Sequence, residues 1–257
     1  MYSLKSKIGL ALARLTATFL RLMSTTTFEK IITETIAERT HMLNPKDSLT
    51  LLLKLDNRLY ELQGKQAIAY GNGVHTKHRH MNYHDFFVKN IQTKEHVLDI
   101  GCGYGAVAYT IALKVDAHIT AIDIDEKNIA KAIEHHNLPN IKYVIGNILG
   151  DLSTLLKEQS FDVILMSNVL EHLPNRPQLL YHLQQVIQPK RFLIRVPLFE
   201  RDWRVPLKKE LGLEWRLDDT HEIEYTLETF AAEMVEAQLK ITHLEVRWGE
   251  IWAVLEA

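Results

Sequence analysis

Beyond Glu95 the chain alternates between short apolar runs and stretches whose apolar residues recur at helical spacing. The runs fall near 96–100, 118–123, 141–145, 161–166 and 191–196. Apolar runs of this length fit strands buried on both faces, and strands alternating with helices fit a mainly parallel sheet. Thr226, with Glu228 and Thr229 in the next turn, predicts a helix that reaches Ala237. Ile241–Arg247 and Glu250–Leu255 meet at Gly249 and predict a closing hairpin. Residues 1 to about 90 read as helical instead. Ser48–Glu61 is the best helix there, with Leu49, Leu52, Leu53, Leu59 and Leu62 recurring on one side, and Gly64, Gly71 and Gly73 mark a break after it.

A 257-residue chain of this pattern holds one α/β domain with an extension. The expected division is a helical extension or cap over 1–90 and a sheet domain over 91–257. An insertion at about 197–220 carries Trp203, Trp215, Pro206 and many charges. A hydrophobic content of 46% is ordinary for a packed core, and a net charge of −2 gives no general attraction to nucleic acid. Cys102 is the single cysteine, so no disulfide forms within the chain, which fits the cytoplasm. Near the start, Leu4, Ile8, Ala11, Leu12, Leu15, Phe19 and Leu22 recur at helical spacing, but Lys5, Lys7, Arg14 and Arg21 interrupt them. Those charges argue against a membrane span or a signal peptide. The first 23 residues therefore read as a basic amphipathic helix, which either contacts a membrane surface peripherally or packs on protein.

The most informative segment is Val97-Leu98-Asp99-Ile100-Gly101-Cys102-Gly103-Tyr104-Gly105, an apolar run ending in an acid and a Gly-x-Gly-x-Gly turn before a helix-compatible stretch. Glycines there permit positive φ and close approach of a ligand to the backbone. Asp123, about twenty residues on at the end of the next run, can accept hydrogen bonds from both hydroxyls of a ribose. Asn147 ends the third run, where it suits an adenine edge, and Phe161–Asn168 reads as the fourth strand. An NAD-dependent oxidoreductase is the rival reading. It is disfavoured because the loop lacks the Gly-x-Gly-x-x-Gly spacing suited to a pyrophosphate.

From Val97 to about Leu173 these motifs, in this order and spacing, resemble the class I S-adenosylmethionine (SAM) dependent methyltransferases. The resemblance implies a Rossmann-like, doubly wound, mainly parallel seven-stranded sheet with one C-terminal strand antiparallel to the rest, preceded here by the helical extension. It implies SAM as cofactor, with contacts from Asp99, Gly101, Cys102, Gly103, Gly105, Asp123, Ile124, Asn147, Ile148 and Asn168. Asp99 and the glycine loop would hold the methionine part, Asp123 the ribose and Asn147 the adenine.

Methyl transfer to a hydroxyl needs alignment and a group to take the proton, at the carboxyl ends of the strands. Asn168-Val169-Leu170-Glu171-His172 and Asp218-Asp219-Thr220-His221-Glu222 are the candidate segments, and His172, His221 and Glu171 the candidate catalytic residues. Spacing places Asn168, Glu171 and His172 on one face of a helical turn. The first segment resembles the Glu-x-x-Glu-His motif of ubiquinone-biosynthesis and small-RNA O-methyltransferases, which implies a divalent metal in those enzymes. Here Asn168 replaces the first Glu, a weaker cation ligand, so a divalent metal, to which His221 could add a ligand, is the disfavoured alternative. Four histidines, His75, His78, His80 and His84, precede an aromatic helix start at Phe86 and Phe87 and are expected to cover the cofactor cleft. Segments around Arg195, His221 and Trp252 are similar to sugar and polysaccharide-pathway methyltransferases, which implies a sugar or glycan hydroxyl as acceptor. A phenol or quinone precursor is the alternative, and a non-catalytic SAM-binding scaffold or regulator remains a different class of reading.

Overall fold

A computed structural model describes residues 22–150, 156 and 160–256. The amphipathic segment expected over 1–23 therefore lies, but for its last two residues, outside the described residues. The chain divides into two compact units, Met1–Leu62 and Gln63–Ala257. In the first, α1 (Thr25–His41) starts at Ser24, whose side chain accepts from the Thr27 amide. Ser48, in α2 (Pro45–Tyr70), donates its hydroxyl to Thr40 O at 2.8 Å. α2 runs straight through Gly64, so the expected break is at Gly71, where an added Cβ would lie 2.0 Å from Val74 O. A single glycine inside a helix costs only about 1 kcal/mol, which the flanking turns absorb.

The second unit takes in the end of α2 from Gln63, and then α3 (Lys77–Met81) and α4 (Tyr83–Lys89). Residues 63–90, which the sequence grouped with the helical extension, thus belong to the sheet unit, because Tyr83, Phe86 and Phe87 are buried in its core. Strands and helices then alternate: β1 (His96–Ile100), α5 (Ala106–Lys114), β2 (His118–Asp123), α6 (Glu126–His135), β3 (Ile141–Ile145), β4 (Val163–Ser167), α7 (Arg176–Ile187) and β5 (Arg191–Pro197). α8 (Arg204–Glu210) lies in the expected insertion, and α9 (Leu227–Glu236), β6 (Lys240–Arg247) and β7 (Glu250–Glu256) close the chain. α9 begins where Thr226 predicted, with Thr226 and Thr229 exchanging side-chain and backbone bonds in a capping box.

The seven strands are ordered β3-β2-β1-β4-β5-β7-β6. β1 to β5 are parallel, and β7 runs antiparallel to both β5 and β6. Alternate residues feed two cores. Leu98, Ile100, Ile164, Met166 and Ile194 pack toward α7 and α9. Val97, Leu165, Leu193 and Trp252 pack toward α4 and α5. The doubly wound fold implied by the sequence is the fold observed. Its strand order reverses between β1 and β4, the point where such sheets bind ligands.

Candidate functional site

The glycine loop leaves β1 at that reversal. The amides of Gly101 and Cys102 donate to Ile122 O at 2.7 and 3.0 Å and tie the loop to β2. Gly101, Gly103 and Gly105 all have positive φ, at 69°, 54° and 75°. A Cβ on Gly101 would sit 2.5 Å from Val169 Cγ2, and one on Gly105 2.4 Å from the Tyr143 hydroxyl oxygen. A Cβ on Gly103 would meet nothing within 4 Å among the described residues. Two glycines therefore fit the loop to the protein, while the third keeps open the space a ligand would fill. Gly103→Ala is expected to cost only about 1–2 kcal/mol of fold stability, the left-handed penalty, yet to weaken S-adenosylhomocysteine binding at least tenfold. Gly101→Ala and Gly105→Ala should each add overpacking of about 1–3 kcal/mol. Thermal melts beside ligand titrations check this contrast, and equal melting losses for all three variants would refute it.

Asp99 is 2% exposed, and its Oδ2 has no hydrogen-bond partner among the described residues. Burial, and next the Asp123 carboxylate, push its carboxyl up to about 8. A buried carboxyl left unpaired costs stability unless a ligand supplies its partner. Asp123 Oδ2 accepts from Gly103 N at 2.8 Å, and its Oδ1 accepts from Asp125 N and Asn128 Nδ2 at 2.9 and 3.2 Å. It braces the loop, and because two carboxylate oxygens offer about four acceptor sites, these three bonds leave capacity for a further donor. Ile124 is 69% exposed beside it. Asn147 is exposed, and its Oδ1 accepts from Leu149 N at 3.0 Å. The Ile148 side chain packs in the core, which leaves its backbone for any ligand contact. Burial raises the Cys102 thiol far above its usual range, so it stays protonated and is no nucleophile.

A second polar cluster follows β4. Asn168 does not share a helical face with Glu171 and His172 as spacing predicted. It adopts a left-handed φ of 56° before the short 3-10 turn Leu170–His172. Its amide, in the orientation that satisfies both ends, donates to Arg195 O at 3.3 Å and accepts from Arg195 Nη2 at 3.1 Å. Glu171 is fully buried with neither carboxylate oxygen partnered among the described residues, and burial pushes it up to about 7. The His172 and His221 rings stand edge to face with centroids 4.5 Å apart. Ligand atoms of Glu171, His172 and His221 all lie within 4.8 Å of one another. The loop after α8 reaches this point because Glu222 N donates to Glu171 O at 2.8 Å.

Both imidazoles are oriented from behind. His172 Nδ1 lies 2.9 Å from Thr220 Oγ1, which donates to Asp218 Oδ1 at 2.7 Å. Burial and the nearby His221 lower the His172 pKa, which favours the neutral ring. His221 is buried, with Nδ1 3.3 Å from Glu224 Oε1. Burial alone would raise Glu224. The bonds from His221, the Leu217 amide and Arg201 outweigh it and keep the carboxylate charged. Sequence reading missed Glu224 and Arg201, although the i, i+3 spacing of His221 and Glu224 was a usable signal. It also missed the buried pair Arg195–Glu250, bonded at 2.6 and 3.0 Å. Trp215 packs edge-on to Phe199 beneath Lys209, whereas Trp203 is 70% exposed. A separate cavity of about 460 Å³, lined in part by His96, His118 and Lys142, opens at the opposite, amino edge of the sheet and takes no part in this site.

Known proteins carry the same architecture. The profile of a methyltransferase domain matches residues 91–239, more than half of the 257-residue chain. The chain belongs to the class I SAM-dependent methyltransferases. A ubiquinone biosynthesis O-methyltransferase of Rickettsia bellii (strain OSU 85-389) is 30% identical over 98 residues, 38% of this chain and 40% of that protein. The chain spans about two fifths of the length of this protein and of the other Rickettsia ubiquinone biosynthesis O-methyltransferases it matches. Among solved structures, a small RNA methyltransferase aligns with TM-score 0.55 at 19% identity, covering 68% of this chain and 25% of that one. Magnesium protoporphyrin IX methyltransferase from Synechocystis PCC 6803, solved with bound SAH, aligns with TM-score 0.52 at 16% identity, covering 69% and 83%. At these identities the structures speak to the fold.

Proposed function

We propose that the chain is a SAM-dependent O-methyltransferase acting on a hydroxyl of a sugar, glycan or other small molecule. The observation that carries this reading is the buried Glu224–His221 pair beside Glu171 and His172, at the same sheet edge as the glycine loop. SAM, when bound, supplies a methyl group activated on a sulfonium. The unpaired Asp99 oxygen, the open face of Gly103 and the Asp123 carboxylate fit it. Glu224 fixes Nδ1 of His221, which leaves Nε2 to accept the acceptor's hydroxyl proton. Glu224 then stabilises the imidazolium that forms. The balance would be complete: the acceptor oxygen would gain the methyl that SAM supplies, which would leave as its neutral thioether, and His221 would hold the proton.

A sugar ring suits the acceptor side because Trp203, in the segment between β5 and the His221 loop, is exposed and offers a flat face on which such a ring could stack. A phenol or quinone precursor is the alternative, in keeping with the name of the Rickettsia relative. Tritium transfer from methyl-labelled SAM to fractionated cell extract separates the readings. Label is expected in polar, glycan-containing fractions. Label in phenolic lipids would favour the alternative, and SAM binding without any transfer would favour a scaffold.

One observation favours a metal-assisted variant. Glu171, His172 and His221 form a carboxylate and two-imidazole donor set that fits a divalent transition metal. Such an ion would relieve the unpaired Glu171 carboxylate and lower the acceptor's pKa. Dialysis against chelator is expected to leave turnover within about twofold if His221 acts as the base. Loss of turnover restored by added metal would instead assign these three residues as ligands. Among the described residues no helix is long and apolar enough to cross a membrane.

A further inference from the structure

Register places one polar row on the face of the sheet that packs toward α4 and α5. Val97 and Leu165 belong to that core, so Asp99 and Ser167, two residues further along their strands, share its face. Arg195 pairs with both Ser167 and Trp252, and Glu250 lies two residues before Trp252. Asp99, Ser167, Arg195 and Glu250 thus follow one another along the carboxyl edge, beside the glycine loop. Their contacts agree: Arg195 Nη1 donates to Ser167 Oγ at 3.0 Å, and Trp252 Nε1 donates to Glu250 Oε2 at 3.0 Å.

Tyr83 roofs this row. It is 6% exposed, its ring centroid is 3.7 Å from Arg195 Cζ, and its hydroxyl is 2.9 Å from His78 Nδ1. The adjacent His84 ties the same segment to the helix that leaves the glycine loop, with Nδ1 2.7 Å from Thr110 Oγ1. The histidine-rich segment therefore stands over the cofactor's edge of the sheet, with one phenol hydroxyl set among groups that accept or donate.

Resting on the methyltransferase reading, we infer that Tyr83, held by His78, binds the carboxylate of the cofactor's amino-acid end, opposite the unpaired oxygen of Asp99. The argument is one of pairing. The unpartnered, buried Asp99 Oδ2 is a seat for an ammonium. In an α-amino acid the carboxylate is attached to the carbon that bears the ammonium, so it must be buried close by. A buried carboxylate needs donors. Arg195 has two of its nitrogens committed to Glu250, a third on Ser167 and its face covered by Tyr83. Tyr83 brings a neutral hydroxyl that His78 can hold through Nδ1, leaving the phenol proton for the ligand.

The test compares S-adenosylhomocysteine with 5′-methylthioadenosine, which lacks the amino-acid end, by calorimetric titration of the full chain. Tyr83→Phe keeps the ring on Arg195 and removes only the hydroxyl. It is expected to weaken S-adenosylhomocysteine about 10- to 100-fold, the range for a hydrogen bond to a charged group, and to leave 5′-methylthioadenosine unchanged. His78→Ala should give a smaller loss with the same selectivity. Unchanged S-adenosylhomocysteine affinity in Tyr83→Phe overturns the inference, as does an equal loss for both ligands, which would mean the roof had merely loosened. Failure of the unmutated chain to bind either ligand would instead contradict the methyltransferase reading itself.

Discussion

Asp99→Asn should make the ligand-free protein more stable at pH 9 and, in the same molecule, weaken S-adenosylhomocysteine binding by about 10- to 100-fold. The sign follows from burial. The native carboxyl titrates at about 8, while the unfolded one titrates at the usual 3.8. The native state therefore holds a proton that the unfolded state has lost, so stability falls as pH rises between those values and is flat above them. Above pH 8 the cost is about 2–5 kcal/mol, the upper end following from the full difference between the two titrations and the lower end allowing for relaxation and water, which raise the effective dielectric around the charge. The asparagine variant should escape it and melt on the order of 5–10 °C higher at pH 9, with a clearly smaller gap at pH 5, where only the first part of that pH range has been crossed. Melting curves at both pH values decide the matter. A variant that melts lower at pH 9 would mean that Asp99 is not an unpaired buried acid. Such a trade of stability for function is common where a site keeps a group ready for its ligand.

His221→Ala should lower turnover by about 10²- to 10⁴-fold, the usual reach of a positioned proton acceptor, with S-adenosylhomocysteine affinity within about twofold of the parent. His172→Ala should cost less, since its Nδ1 rests on a threonine hydroxyl rather than a charged carboxylate. Wild-type turnover in both variants, with cofactor still bound, would remove acid-base chemistry from this cluster and leave alignment as the source of rate. The effect should be read as kcat at saturating acceptor, because His221 is buried and its loss also leaves Glu224 without one of its donors.

What was legible in the sequence was what is local in the chain. The strand-loop-helix around Asp99 announces itself because one contiguous run must end a strand, turn on glycines and start a helix. The capping residues Thr226 and Thr229 were readable for the same reason. The acceptor side was not local. His172 meets Thr220 across 48 residues, and Arg195 meets Glu250 across 55. An arginine inside an apolar strand gives no hint of its partner until the antiparallel register of β5 and β7 is known. Asn168 misled for a backbone reason. Spacing arguments assume helical φ from the first residue, and a left-handed residue there turned its amide to Arg195 and left the ligand-like set to Glu171, His172 and the distant His221. Gly64 misled in the other direction, since a lone glycine breaks a helix only where close contacts and positive φ gather, as they do at Gly71 and Gly73.

The central claim is that the open glycine loop with Asp99 and Asp123 is a seat for SAM. Calorimetric titration of the unmutated chain with S-adenosylhomocysteine and, in parallel, with NAD tests it most directly. The predicted result is saturable binding of S-adenosylhomocysteine at one site per chain and no heat from NAD. Saturable binding of NAD with none of S-adenosylhomocysteine would contradict the account.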